Sequence, residues 1–147
     1  MKNKYNMTKE DNIFFAKRKL TDNLYKSANL EGIAVTFADT VAFVNNVNTG
    51  NISINDMLKL KGLKDAWEFV LDTIDEELTI NYIKKIHFEI CKGQGVEPLG
   101  EFRDKGVGIT GTSYTPKLPS ECNYDAELND IMNIDNALDR CITLFLW

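Results

Sequence analysis

Between Gly95 and Pro119 the chain abandons the helical period that it keeps on either side, and this one interruption limits the folds open to it. Gly106, Gly108 and Gly111 lower helix propensity there, while Val107, Ile109, Thr110 and Thr112 favour extended backbone. The pattern predicts a two-stranded hairpin from about Phe102 to Thr115, inserted into an otherwise mainly α domain. The same glycines satisfy the Gly-x-Gly-x-x-Gly spacing of nucleotide-binding loops, but that mechanism needs a strand before it and a helix N-terminus directly after. Tyr114, Pro116 and Pro119 follow instead, so the dinucleotide reading is set aside.

Ahead of the interruption, capping residues and apolar spacing mark a series of helices. Thr8 with Asp11 opens one that carries Ile13, Ala16, Leu20, Leu24 and Leu30 to about Glu31. Thr36 caps a second, with Phe37, Val41, Val44 and Val47, ending in the turn-rich Asn48-Thr49-Gly50-Asn51. Ser53 starts a short third, which Gly62 separates from a helix holding Leu63, Trp67, Val70, Leu71 and Ile74. Thr79 or Asn81 opens the next, with Ile83, Ile86, His87 and Ile90, closed by Gly93. After the interruption, Asp135 caps a helix that runs through Leu138, Ile142, Leu144, Phe145 and Leu146 to Trp147.

A chain of 147 residues with 44% hydrophobic content can bury roughly two-thirds of its unfolded surface, enough for one core without staples. Cys91, Cys122 and Cys141 are odd in number, lack metal-ligand spacing and have a single histidine, His87, to help them. That predicts reduced thiols in a cytoplasm and no metal site. The N-terminus has no apolar run behind its lysines, and no stretch approaches about 18 apolar residues, so neither secretion nor a membrane span is expected. A net charge of −5 argues against nucleic-acid partners. His87 follows Ile83 and Ile86 on one helix face and reads as a satisfied, partly buried histidine, since no nucleophile or carboxylate partner is indicated by spacing.

One stretch spends residues on something other than packing. In Ser27-Ala28-Asn29-Leu30-Glu31-Gly32, Ser27 and Glu31 lie one helical turn apart and Gly32 can end the helix. At that spacing the hydroxyl can donate to the carboxylate and fix a negative charge at a helix end. Taken alone, it also reads as a solvated polar patch before a glycine cap.

The stretch resembles the Ser/Thr-x-x-x-Glu-Gly/Asn inhibitory motif of the Fic family. Leu63 to Val70, Ile83 to His87 and Gly100-Glu101-Phe102-Arg103 to Gly111 then follow in that family's order, and Tyr114 to Pro119 is similar to the proline-bearing exit of its flap. The resemblance covers about Phe14 to Trp147. It implies a mainly α, Fic-like single domain over residues 1–147, with an inhibitory helix at 8–32, a helical core at 33–94, a β-hairpin flap at 100–119 and incomplete C-terminal helices at 120–147. The departure is large: the family's His-x-Phe-x-Asp/Glu-Gly-Asn-Gly/Lys-Arg motif, which follows the flap and a further helix, is missing. The expectation is therefore a domain truncated before its active-site loop, with no catalytic residue of its own.

What the resemblance implies functionally is transfer of AMP from ATP to a hydroxyl of a target protein, with ATP and magnesium as cofactors of a complete family member and none bound by this chain. Ser27, Glu31 and Gly32 form the inhibitory motif, in which Glu31 competes with the γ-phosphate for an arginine of the missing motif. Gly106, Val107, Gly108, Ile109, Thr110 and Gly111 dock the target protein by strand addition. The alternative is a non-catalytic regulatory module that presents its helix or flap to a partner. Leu144, Phe145, Leu146 and Trp147 form an apolar end expected to self-associate.

Overall fold

The computed structural model describes residues 5–47, 50 and 52–147. Seven α-helices lie among them: α1 (Lys9–Arg18), α2 (Leu20–Leu30), α3 (Phe37–Val44), α4 (Ile54–Asp72), α5 (Ile80–Cys91), α6 (Tyr124–Met132) and α7 (Ala137–Leu146), with one turn of 3-10 helix at Pro119–Glu121. No described residue is in a strand. The mainly α expectation holds.

Local capping chemistry starts these helices where the sequence predicts. Thr8 and Thr36 form capping boxes with Asp11 and Asp39, and Ser53 and Thr79 accept from the backbone N–H groups of Asp56 and Tyr82. Thr79, rather than Asn81, opens α5. The last helix is capped by Asn136, whose side-chain oxygen accepts from the N–H groups of Leu138 and Asp139, and not by Asp135.

Three expectations about the helices are corrected. The first helix is broken at Lys19, whose N–H is shared between the carbonyls of Phe15 at 3.0 Å and Ala16 at 3.1 Å, so the turn tightens and α2 leaves in a new direction. The break lets α2 bury Leu24 and Ala28 while α1 buries nothing, and it leaves Leu30, expected on the apolar stripe, 87% exposed. Gly62 does not separate two helices. It lies buried within the continuous α4. Finally, α3 ends before Val47: Asn46 takes a left-handed φ of 57°, and its N–H and that of Val47 bond back to Phe43 and Ala42. Of the predicted turn Asn48-Thr49-Gly50-Asn51, only Gly50 lies within the described residues.

The scaffold is the antiparallel pair α4 and α5. Its register follows from four contacts: Gly62 against Ile90, Lys92 Nζ 3.2 Å from Asp65, the Phe69 and Tyr82 rings 5.4 Å apart, and Thr73 Oγ1 at 2.6 Å from the Tyr82 hydroxyl. A Cβ on residue 62 would meet the carbonyl carbon of Ile90 at 2.9 Å and its oxygen more closely still, so the two backbones touch only because residue 62 is glycine. α2 packs on α4 and α3 on α2, burying Leu24, Ala28, Ile33, Ile52, Leu60 and Leu63 together, with Leu24 and Leu60 fully enclosed. Phe43, Val44 and Ile90 close this core from α3 and α5. Trp67 and Phe69 are half-buried at the edge of the pair. α6 joins α5 through Leu128 and Ile131, and α7 rests on α6. Among the described residues no helix is long and apolar enough to cross a membrane.

Gly62→Ala tests this scaffold. Overpacking costs about 1–3 kcal/mol where side chains can yield, and here the obstacle is backbone, so the upper end is expected, with a melting point lower by roughly 10 °C. Gly106→Ala, at a position with open space around it, should leave the melting point unchanged. Equal melting of the two variants in a calorimetric scan would overturn the close approach.

Candidate functional site

The end of α2 is a complete Schellman closure. Gly32, with φ 68°, places its N–H on the carbonyl of Asn29 at 3.1 Å, and the next N–H, that of Ile33, reaches the carbonyl of Ala28 at 2.9 Å. Ile33 and Ala28, the hydrophobic pair of the motif, are both buried in the core. Gly32 therefore has a structural duty whatever else it does: only a left-handed residue turns the chain so that Ile33 goes inward. Glu31 is the C-cap residue, exposed, with its own N–H on the carbonyl of Ser27 at 3.0 Å.

The expected side-chain bond from Ser27 to Glu31 is not formed. Ser27 is half-buried on α2 and Glu31 is exposed at its cap; the backbone turn between them is closed by the Glu31 N–H on the Ser27 carbonyl, but the two side chains do not meet. The Glu31 carboxylate has no partner among the described residues. Its charge acts on Cys91, at the end of α5: burial first, and then the Glu31 charge, push that thiol up from its ordinary value. The motif thus presents an exposed carboxylate, on a backbone fixed by the Schellman closure, near the C-terminal end of α5.

The predicted flap is out of helix, as expected, but it is not a hairpin. Residues 102–115 pair with nothing across the loop, and the chain is instead clasped by Arg103, which donates from Nη1 to the carbonyl of Lys105 at 2.7 Å and from Nη2 to that of Lys117 at 2.6 Å. A guanidinium fork bridges the two ends where a ladder was expected. The sequence has the β-favouring residues but three glycines among them, so neither side offers a row of side chains to pair. Gly111, with φ 87°, sits in a turn closed by the Thr112 N–H on the carbonyl of Ile109 at 3.3 Å. Gly106, Val107, Gly108, Ile109, Thr110 and Gly111 are all exposed.

Beneath the base of this loop lies a feature the sequence did not reveal. A cavity of about 480 Å³ opens between α5, residues 96–103 and the start of α6, with His87 on its wall. The Gly100 N–H donates to His87 Nδ1 at 3.1 Å. Gly100 is held there by a φ of 67° and by Phe88, whose Cβ a substituent on Gly100 would meet at 3.1 Å. Lys84 pairs with Glu101 at 2.7 Å and stands 5.0 Å over the Phe102 ring, which lies 5.1 Å from the Tyr124 ring. The Cys122 sulfur beside it, together with burial, raises the Tyr124 phenol above its ordinary value. The reading of His87 as a satisfied, partly buried histidine holds, with a backbone N–H as its partner. The only sequence signal for this site was Gly100 just before Phe102, thirteen residues from the histidine it serves.

Among the described residues no three His, Cys, Asp or Glu side chains converge as a metal-binding set, and the glycines at 106, 108 and 111 lead into the short turn Pro119–Glu121 rather than into a helix N-terminus. No family model, curated protein or solved structure matches the chain.

Cys91 provides a direct check of where Glu31 sits. At pH 8 its raised pKa should make it alkylate more slowly than the exposed Cys141. Glu31→Gln removes one of the two causes, so Cys91 should gain thiolate and its rate relative to Cys141 should rise about two-fold, read by mass spectrometry after timed iodoacetamide exposure. An unchanged ratio would place Glu31 away from Cys91.

Proposed function

We propose that this chain is the N-terminal part of a self-inhibited Fic-type protein nucleotidyltransferase, in which Glu31 is the inhibitory carboxylate. The observation that supports the reading is the state of Glu31: exposed, without a partner among the described residues, and held at a fixed point by the Schellman closure at Gly32 and Ile33. A carboxylate so placed is pre-organised for a cation brought to it from outside, and an arginine fork would bind it strongly. Ser27 helps by its position on α2 and not through a bond to Glu31. The loop 104–118 would receive a target protein: residues 106–108 donate and accept no backbone hydrogen bond, which leaves their main chain available for strand addition.

In a longer protein that also carries the His-to-Arg motif, Glu31→Gly should raise labelling of target and enzyme from radiolabelled ATP by about ten-fold or more, consistent with loss of a charge-assisted pair. Ser27→Ala should have a smaller effect. The chain of 147 residues by itself should label nothing above a boiled control, and this separates the inhibitory reading from one in which His87 acts as a catalyst. Labelling unaffected by Glu31→Gly, with fold and ATP affinity intact, would leave the motif as a helix end only.

A second copy of this chain is the partner that the last helix fits. α7 buries no residue, and Leu138, Ile142, Phe145 and Leu146 recur on one face, with Phe145 87% and Leu146 76% exposed. Leu138 and Leu146 stand four residues on either side of Ile142, so an antiparallel two-fold contact about Ile142 sets Leu138 of each copy against Leu146 of the other. Sedimentation velocity across a concentration series should show a dimer that Phe145→Ser with Leu146→Ser dissociates. A single monomeric species at several hundred micromolar would rule this out.

A further inference from the structure

We infer that the cavity at His87 is a binding site for a neutral, planar aromatic heterocycle of one or two rings, one that carries a ring acceptor beside an N–H donor.

The walls set the shape. Phe102 and Tyr124 supply two aromatic plates, while Ile83, Val96, Pro98 and Pro119 make the rest of the lining apolar. A volume of about 480 Å³ lies within the range of pockets that enclose small organic ligands, and flat apolar rings are what such walls hold.

Charge sets the ligand's charge. Four ionisable side chains of fixed sign line the cavity, Lys84 and Arg103 against Glu97 and Glu101, and they cancel. Lys84 is spent on Glu101, and the two terminal nitrogens of Arg103 are spent on the carbonyls of Lys105 and Lys117. An anion would meet no free cation, and a cation drawn to Glu97 would also face the Arg103 guanidinium on the same lining, so neither replaces its hydration as well as an uncharged ring does.

Hydrogen bonding sets the edge. Because the Gly100 N–H occupies Nδ1, the neutral imidazole carries its proton on Nε2, the one remaining hydrogen-bonding atom of the ring and a donor. Glu97 also lines the cavity, and its carboxylate has no partner among the described residues. A ligand with an acceptor for His87 and a neighbouring N–H for Glu97 satisfies both, whereas a hydrocarbon ring leaves both to be desolvated unpaired.

The test uses the whole 147-residue chain and 7-azaindole, which has a ring-nitrogen acceptor next to an N–H, followed by two-dimensional ¹H–¹⁵N NMR. Saturable shifts centred on the Gly100 amide are expected. Indole, which lacks the acceptor, should bind about ten-fold more weakly, and benzoate and benzamidine should not bind there. His87→Asn retains an acceptor for the Gly100 N–H but removes Nε2–H, and Glu97→Gln changes an exposed side chain with little risk to folding. Each should weaken 7-azaindole about ten-fold; His87→Asn should leave indole unchanged, whereas Glu97→Gln should weaken indole as well, because indole keeps the N–H that Glu97 accepts. The inference is overturned if 7-azaindole gives no saturable shift at Gly100, if benzoate or benzamidine binds as well, or if neither variant weakens it while both spectra remain native.

Discussion

Contact between the backbones of α4 and α5 at Gly62 and Ile90 is the constraint on which the other placements rest. It brings two helices closer than side chains normally allow, and it fixes their register, so that Asp65 reaches Lys92 and Phe69 reaches Tyr82. α2 packs on α4 through Leu24 and Leu60, in a core that Ile90 of α5 also closes, and the end of α2 thereby comes near the end of α5. Glu31 and Cys91 are neighbours for that reason, although 60 positions of chain and two further helices separate them. The outer side of the same α5 carries Lys84 and His87, the anchor points for residues 100–101. Both candidate sites thus hang from one helix pair.

What the sequence made legible was what is decided locally. The starts of α1, α3, α4 and α5 were readable because each rests on a hydroxyl and the backbone N–H three residues on, and Gly32 was readable because a left-handed helix stop needs glycine. Gly62 shows the limit of that reasoning. Glycine breaks a helix in isolation, but it is also what a close crossing of two helices requires, and only the partner backbone tells the two apart. Lys19 gave no warning at all, since a shared N–H leaves no mark in residue type. The loop at 102–115 was misread for the opposite reason: its residues favour extended backbone, but a strand needs a partner, and the bond from Arg103 to the Lys117 carbonyl closed the loop without one.

The same division applies to the sites. Position and exposure of Glu31 followed from spacing and a glycine stop, whereas the rotameric lock by Ser27 did not, because i, i+4 spacing brings two side chains within reach without deciding that their rotamers meet. The His87 cavity could not have been read from spacing, since its defining bond comes from a loop amide thirteen residues away. A backbone donor has no residue type, so the sequence carries no trace of which amide will meet which imidazole.

An aromatic series joins the cavity to the last helix. Tyr124, whose ring forms one wall with Phe102, also receives the edge of Trp147 at 5.5 Å, and the Trp147 indole N–H donates to Glu127 at 2.7 Å. The end of α7 is therefore pinned to α6 while Phe145 and Leu146 stay exposed beside it. A ring held against Phe102 and Tyr124 would rest on the same aromatic series that pins Trp147, with the edge-to-face contact between Tyr124 and Trp147 as the step from the cavity wall to the last helix.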